Sequence, residues 1–293
     1  MEVSNSGIFQ IDDPLVKTTY HGNPNYEVVL SEGPSVQKDL CVIYFSSNDI
    51  YYPNTAQAFR SSIVNKNKYE WRKNLIPVAH KHIFVRDIQK QWYIGGINAA
   101  DNSPEKIAGL LQSLTQGYRI FTIGSSAGGF AAMLFGSMLK AERVYAFNAQ
   151  LDLSIVIKHS DKKTDPLLFK YQAPDPMSQY FSVEDYVTPA TQYFYFQSCK
   201  SEIDVIQFVP FKNKELINCI KFKTSHHGIP FFKNNLSYIL NLPVDKLKKM
   251  AQKEHHPLQF AIKVDGIFKT TYMISKIVFA RVLKKIKEKR ESK

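Results

Sequence analysis

A chain of 293 residues with 44% hydrophobic and 22% charged residues has the balance of a folded globular protein. This composition excludes an intrinsically disordered chain, and three cysteines are too few for a disulfide framework. The formal net charge of +12 at pH 7 suits anionic ligands or surfaces.

The first part of the chain contains two short apolar runs, which are followed by a well-marked helix. Residues 41–45 (CVIYF) lack polar interruptions, as expected of a strand buried on both faces, and residues 82–85 (HIFV) predict a second strand. A helix is then predicted to begin at Pro104, with Ser103 as its N-cap. Gly117 is expected to end this helix in a left-handed conformation.

The middle of the chain predicts a βαβ unit. Residues 118–123 (YRIFTI) predict a strand, residues 130–140 a helix rich in small side chains, and residues 143–147 (RVYAF) the next strand. A glycine-rich turn, residues 124–129, lies at the carboxyl end of the first strand. This alternation is typical of a mostly parallel sheet with helices on both faces.

The remaining segments are less regular. Residues 151–190 carry many charged and turn residues and predict an insertion over the sheet that acts as a small lid. Four elements are predicted after it: strands at 193–196 and 217–222, and helices at 236–242 and 244–250. We therefore expect a main domain, residues 1–250, and a C-terminal helical extension with a basic tail, residues 251–293.

The glycine-rich turn carries the pattern Gly124-x-Ser126-x-Gly128, with a strand before it and a helix after it. In a nucleophile elbow of this kind the serine has a strained backbone and an exposed hydroxyl. The N-terminus of the following helix favours a developing oxyanion, and the N–H of Ala127 is the predicted first donor. A nucleotide-phosphate loop is one competing interpretation, but the turn lacks the lysine of that motif. A purely structural turn is the other. We predict Ser126 as the nucleophile.

A serine hydroxyl needs a base, and in this arrangement the base is a histidine that follows the acid along the chain. The strand at 217–222 is followed at once by His226 and His227. We prefer His227 as the base because Gly228 lets the backbone turn next to it, and His226 is the alternative.

The acid that orients the imidazole is expected after the strand at 193–196. Asp204 is our choice there, and Glu202 is the alternative. Asp152, which follows the strand at 143–147, is a third candidate. Asp204 and Glu202 have the competing interpretation of a helix cap.

Two further groups are expected at the same edge of the sheet. The second oxyanion donor should come from the loop at residues 46–49, where the N–H of Ser47 is the candidate. Trp92 and Tyr93 follow the strand at 82–85 and are candidates for binding substrate, for example by stacking on a sugar face. A core or hinge role is the alternative for both. The sequence shows neither a metal-ligand cluster nor a nucleic-acid-binding motif, so we expect no metal and no nucleic-acid partner.

The C-terminus is strongly basic. Residues 281–293 contain seven basic and two acidic side chains, and apolar residues recur at helical spacing just before them. A packed final helix with a solvated tail is one interpretation, and binding to an anionic membrane surface or a polyanion is the other. The N-terminus resembles no secretory signal and the cysteines lie apart, which favours a cytoplasmic protein, peripheral to the inner membrane if the tail binds lipid.

The elbow sequence IFTIGSSAGGFAAMLFG (120–136) resembles that of the α/β-hydrolase superfamily. Together with HHGIP (226–230), it is similar to enzymes of bacterial capsule and surface-polysaccharide biosynthesis, such as sugar O-acetyltransferases. The resemblance implies a three-layer α/β sandwich with a mostly parallel central sheet. It also implies that Ser126 carries the acyl group, with His227 as base and Asp204 as its orienting acid.

Three functions follow from this resemblance. The first is O-acetylation of a surface polysaccharide or its precursor, with acetyl-coenzyme A as donor and no tightly bound cofactor. The second is a carboxylesterase or deacetylase that uses the same triad on a saccharide or another ester. The third is a non-catalytic partner of a polysaccharide-synthesis complex, because a fold alone does not guarantee chemistry.

Overall fold

A computed structural model of the chain describes residues 8–276 and residue 279. These residues form a seven-stranded sheet with the spatial order β1-β3-β2-β4-β5-β6-β7. β1 is antiparallel to β3, and every other neighbouring pair is parallel. The strands are β1 (Tyr26–Leu30), β2 (Gln37–Phe45), β3 (Ala79–Val85), β4 (Arg119–Ser125), β5 (Arg143–Phe147), β6 (Gln192–Ser198) and β7 (Ile217–Phe222).

Helices cover the sheet and link its parallel strands. In chain order they are α1 (Phe9–Asp12), α2 (Pro14–Gly22), α3 (Ala56–Phe59), α4 (Pro104–Leu114), α5 (Ala127–Met138), α6 (Leu153–Lys158), α7 (Pro166–Lys170), α8 (Glu202–Phe208), α9 (Leu236–Leu240), α10 (Val244–Met250) and α11 (Pro257–Asp265). Residues 267–276 are also helical. In the part of the chain that the structure describes, no helix is long and apolar enough to cross a bilayer.

The sheet is buried on both faces, as its uninterrupted apolar strands predict. Side chains alternate along a strand, so Ile43 and Phe45 in β2 join the core under α4 and α5, whereas Val42 and Tyr44 join the core under α9, α10 and α11. Helices therefore pack on the two sides of one mostly parallel sheet. The predicted three-layer α/β architecture is confirmed.

The predicted elements of the βαβ unit are present with small shifts at their ends. Ser103 is the N-cap of α4, where its side chain accepts a hydrogen bond from the N–H of Lys106. α4 ends at Leu114, and Gly117 follows with φ +81°. The helix after the elbow begins three residues earlier than predicted, at Ala127, because the elbow itself forms its first turn.

The segment at residues 151–190 holds α6, α7 and a 3₁₀ helix (Pro176–Tyr180) between β5 and β6. Leu151 and Leu168 are fully buried in the same core as α5, so this insertion packs against the sheet layer. Its action as a lid stays a prediction.

The C-terminal region is joined to the core through α11. Phe260 is 7% exposed and packs edge-on against Phe222 of β7 and against Phe231, with ring centroids 5.4 and 5.7 Å away. The predicted boundary at residue 250 therefore falls beside a helix that belongs to the main hydrophobic core. The basic tail at 281–293 lies outside the described residues.

Candidate active site

Ser126 lies on a sharp turn between β4 and α5. Its backbone has φ 54° and ψ −123°, a conformation that side-chain-bearing residues rarely adopt. A Cβ added at Gly124 would lie 1.9 Å from the carbonyl oxygen of Gly128, and one at Gly128 would lie 2.3 Å from the carbonyl oxygen of Phe45. Both glycines of the motif are therefore required, because a side chain at either position would clash with a backbone carbonyl group.

The structure brings Ser126, His227 and Asp204 together. Nε2 of His227 lies 2.8 Å from Oγ of Ser126, and Nδ1 of His227 lies 2.7 Å from Oδ1 of Asp204. The three side chains come from the carboxyl ends of β4, β7 and β6, which meet at one edge of the sheet. This edge is where ligand sites of open α/β sheets lie.

The hydrogen bonds fix the imidazole tautomer. A carboxylate only accepts hydrogen bonds, so Nδ1 of His227 carries the proton that is donated to Asp204. In the neutral imidazole Nε2 is then unprotonated and accepts from the hydroxyl of Ser126. A base in this state is ready to take the serine proton.

Asp204 lies in the first turn of α8 and is 1% exposed. Its second carboxylate oxygen, Oδ2, is buried and has no hydrogen-bond partner among the described residues. Burial, and secondarily the negative charge of Asp204, raise the pKa of the neighbouring Tyr195 hydroxyl well above its ordinary value. The carboxylate thus lies in a dry environment where its bond to His227 is its principal stabilising contact.

A buried amide holds the histidine loop in place. Asn148, just after β5, is 0% exposed and has φ 42°. Its Nδ2 donates to the carbonyl of Gly228 at 2.9 Å and to Oγ of Ser198 at 2.7 Å, and its Oδ1 accepts from the N–H of Ser198. Sequence analysis missed this residue, because its only signal is an asparagine at a strand end.

The alternative site residues do not reach the serine. The side chain of His226 is exposed, and its carbonyl accepts a hydrogen bond from Ser198. Glu202 is exposed in the first turn of α8. Asp152 caps α6 by accepting from the N–H of Ser154. Among the candidates for acid and base, only Asp204 and His227 form the hydrogen bonds that the predicted triad requires.

The two predicted oxyanion donors, the N–H groups of Ala127 and Ser47, differ in whether they are free to bind an oxyanion. Ala127 is the first residue of α5, where a helix leaves its N–H groups without intrahelical partners. The N–H of Ser47 instead donates to Oε2 of Glu70 at 2.7 Å. Ser47 is therefore not a free oxyanion donor, which corrects the prediction. Glu70 lies 23 residues along the chain, so sequence spacing gave no sign of this contact.

The two predicted substrate-binding aromatics also differ. Tyr93 is 1% exposed, and its hydroxyl donates to the carbonyl of Ser46 at 2.7 Å, so it is a core residue and the prediction is wrong for it. Trp92 is 7% exposed and donates from Nε1 to Oε1 of Gln150 at 3.1 Å. The same oxygen of Gln150 lies 3.4 Å from Oγ of Ser126. Substrate binding by Trp92 stays a prediction.

Gln150 is a site residue that sequence analysis missed. An indole N–H only donates, so Trp92 orients the amide with its oxygen toward Ser126. Gln150 follows β5 by three residues and so belongs to the same sheet edge. A single glutamine in a loop matches no motif, and only its position at that edge pointed to it.

A strained loop places Trp92. Lys90, Trp92 and Tyr93 have φ values of 57°, 52° and 63°. The carboxylate of Asp87, 3% exposed, accepts hydrogen bonds from four backbone N–H groups of this loop and holds it in this conformation. Burial raises the pKa of Asp87, although these four donors act in the opposite direction. Strain of this kind is typical of functional sites.

A solved structure shares this architecture. The capsule O-acetyltransferase of Neisseria meningitidis serogroup A matches the chain with a TM-score of 0.50 and 14% sequence identity, over 79% of this chain and 92% of that one. The chain has an α/β-hydrolase fold. Its G-x-S-x-G elbow, which lies between strand β4 and helix α5, agrees with this fold.

Further solved structures match at lower similarity. A histidine-to-alanine mutant of the same Neisseria enzyme, in complex with CoA, gives a TM-score of 0.49 at 14% identity, over 78% of this chain and 93% of that one. A fluorophosphonate-binding serine hydrolase of Staphylococcus aureus gives 0.44 at 11% identity, over 79% and 96%. No protein-family model matches the sequence, and no curated protein does.

Proposed function

We propose that the chain is a serine acyltransferase that O-acetylates a bacterial surface polysaccharide or its precursor. The observation that carries the proposal is the continuous hydrogen-bonded series Asp204–His227–Ser126, with distances of 2.7 and 2.8 Å. A half-buried serine on a strained elbow, a correctly oriented imidazole and a buried carboxylate are the parts that acyl transfer requires.

In the first step Oγ of Ser126 attacks the acyl carbonyl while Nε2 of His227 takes the hydroxyl proton. The tetrahedral oxyanion is stabilised by the N–H of Ala127 at the start of α5. His227 then returns the proton to the leaving group as the acyl–oxygen or acyl–sulfur bond breaks. Asp204 stabilises the imidazolium that forms between these two events.

In the second step the acceptor hydroxyl enters, and Nε2 of His227 takes its proton. The acceptor oxygen forms a new ester bond to the acyl carbon, and the bond to Oγ of Ser126 breaks. The proton returns to Ser126. A sugar hydroxyl as acceptor gives O-acetylation, whereas water gives ester hydrolysis with the same residues.

Acetyl-coenzyme A is the donor that we propose, and a saccharide is the acceptor. The similarity of the elbow and of the HHGIP segment to polysaccharide-modifying enzymes supports both choices, and the net charge of +12 suits an anionic donor or glycan. We place the reaction in the cytoplasm, in agreement with three cysteines that are all free.

The nucleophile is tested by Ser126→Ala. Because the hydroxyl contributes nothing to the core, the variant is expected to fold while turnover of p-nitrophenyl acetate falls by ~10⁴-fold or more. Ser113→Ala, an exposed serine on α4, is the matched control and should keep wild-type turnover. Retention of a tenth of the wild-type rate in Ser126→Ala would exclude Ser126 as the nucleophile.

A fluorophosphonate probe separates an enzyme from a non-catalytic scaffold. Wild-type chain and Ser113→Ala are expected to be labelled, and Ser126→Ala is expected to stay unlabelled, as resolved by peptide mass spectrometry. An unreactive wild-type chain would favour the scaffold function.

Release of the coenzyme A thiol from acetyl-coenzyme A distinguishes transfer from hydrolysis. A transferase releases thiol faster when an acetyl-accepting bacterial polysaccharide is present, and acetate appears on the polymer. Thiol or p-nitrophenol release that no saccharide changes would assign the chain to the esterases instead.

A further inference from the structure

A basic groove lies between α10 and α11, outside the triad. Its volume of about 970 Å³ is within the range of ligand-binding pockets. Its apolar lining includes Leu242, Met250, Phe260 and Val264. The groove adjoins the end of β7, because His255 forms a parallel bridge with Phe222.

Lysines come from both walls of this groove. Lys246, Lys249 and Lys253 lie on or just after α10, and Lys263 lies on α11 opposite them. All four are exposed, and none is in an ion pair among the residues that the structure describes. The groove's acidic residue, Glu254, is paired with Lys223 at 3.4 Å.

The positive potential acts on a neighbouring histidine. Burial lowers the pKa of His255, and the charges of Lys253 and Lys263 lower it further. A groove with an apolar lining and four lysines that have no acidic partner within residues 8–276 suits an anionic amphiphile, because each part of such a ligand meets a matching surface.

Large apolar side chains are also exposed on α11 and on the helix that follows it. Leu258 and Ile262, four residues apart on α11, are 37% and 36% exposed. In the helix at 267–276, Phe268 is 90% and Tyr272 60% exposed, and these two also share one helix face. Neighbouring apolar side chains on one exposed helix face form a patch of the kind that can bind a protein or a membrane.

We propose that α10, α11 and the helix at 267–276 form a binding surface for anionic phospholipid membranes. Lysines attract the headgroups, and Phe268 and Tyr272 enter the interface between headgroups and acyl chains. A soluble polyanion would neutralise the lysines but would leave both aromatic side chains in water. The combination therefore favours a lipid surface.

Residues 281–293, which follow the helix at 267–276 in the sequence, are also strongly basic. The membrane contact does not depend on acyl transfer, and Ser126→Ala is expected to bind vesicles as well as the wild-type chain. Failure of membrane binding and failure of the proposed enzymatic function are thus observed separately.

The lysines are tested by vesicle co-sedimentation of the full chain. We expect binding to vesicles of equal parts phosphatidylcholine and phosphatidylglycerol, and much weaker binding to phosphatidylcholine alone. Lysines near an anionic surface contribute roughly fivefold each, so replacement of Lys249, Lys253 and Lys263 by Gln should weaken binding by roughly 100-fold. NaCl at about 1 M, which shortens the screening length to ~3 Å, should have a similar effect.

A matched control replaces three exposed lysines elsewhere, Lys66, Lys162 and Lys163, by Gln. This variant has the same net charge as the groove variant and is expected to keep most of the wild-type binding. Equal losses in the two variants would overturn the proposal, because net charge and not the groove would then drive binding.

The aromatic residues are tested by Phe268→Ala and Tyr272→Ala. Each exposed ring that enters the interface should raise the affinity for anionic vesicles roughly tenfold. Each variant should therefore bind these vesicles less tightly while keeping its circular dichroism spectrum. Unchanged lipid binding in both variants, together with lysine-dependent binding of dextran sulfate, would assign the groove to a soluble polyanion and overturn the membrane proposal.

Discussion

At the scale of single residues, the contact between Glu70 and Ser47 bears directly on catalysis. A carboxylate holds the N–H that the fold normally offers to the oxyanion. Hydrogen bonds to charged groups contribute about 1.5–3 kcal/mol, so this N–H is unavailable unless the carboxylate withdraws.

Removal of this carboxylate should therefore accelerate the reaction. We expect Glu70→Ala to raise kcat/KM for p-nitrophenyl acetate by roughly tenfold, and Glu70→Gln to raise it less, because an amide oxygen still accepts from Ser47. Glu202→Ala removes an exposed carboxylate near Asp204 and controls for net charge. A rate unchanged in Glu70→Ala would show that Ser47 has no part in oxyanion binding.

The order of strands and motifs along the chain predicted which residues form the triad. The chemical type of a single side chain predicted its role less well. Ser126 was identifiable because an elbow needs glycines at fixed positions, and His227 and Asp204 because they follow neighbouring strands. The role of Ser47 depended on a glutamate 23 residues away, and that of Tyr93 on burial by distant segments. Neither leaves a local pattern.

At the scale of elements, the strained loop after β3 is expected to have a pH-dependent stability, because it contains a buried lysine. Lys90 is 6% exposed, and its Nζ donates to the carbonyl of Tyr51 at 2.5 Å and to Oδ1 of Asn54 at 2.6 Å. Burial lowers the pKa of Lys90 to about 8. In the unfolded chain a lysine titrates near about 10.4, so between these values the unfolded state binds more protons.

The free energy of unfolding should therefore rise as the pH increases from about 8 to about 10. Since solvent screens part of the effect, we expect a gain of about 1–2 kcal/mol from this group. The measurement is the free energy of unfolding of the wild-type chain and of Lys90→Met, obtained by urea denaturation at several pH values. The difference between the two isolates the contribution of Lys90. A difference that stays flat or falls over this range would contradict the depressed pKa.

The elements themselves were predictable to different degrees. Strands β5 and β7 and helix α10 were predicted with correct bounds, because apolar runs or helical spacing define them. β1 was missed. It is an edge strand with exposed Val28 and Leu30, so its sequence lacks the uninterrupted apolar run of a buried strand.

At the scale of the whole molecule, α11 is part of the main core. Phe260→Ala should lower the free energy of unfolding by about 3–5 kcal/mol, because it leaves a cavity beside Phe222 and Phe231. Phe268→Ala, at a side chain that is 90% exposed, should change it by less than ~0.5 kcal/mol. Urea unfolding followed by circular dichroism measures both.

Unfolding of Phe260→Ala should remain a single transition at lower denaturant concentration. A main transition that stays at the wild-type midpoint would instead mean that residues after 250 unfold independently, as the predicted domain boundary implied.

The buried amide of Asn148 couples parts of the site that are otherwise far apart in sequence. It bonds to Ser198 at the end of β6 and to Gly228 in the histidine loop, and two residues later the chain reaches Gln150 and the insertion. A large acceptor that displaced Asn148 through this short connection would also displace the histidine loop, and with it the imidazole. Acceptor size would then alter the rate of proton transfer even where the acceptor touches none of the triad.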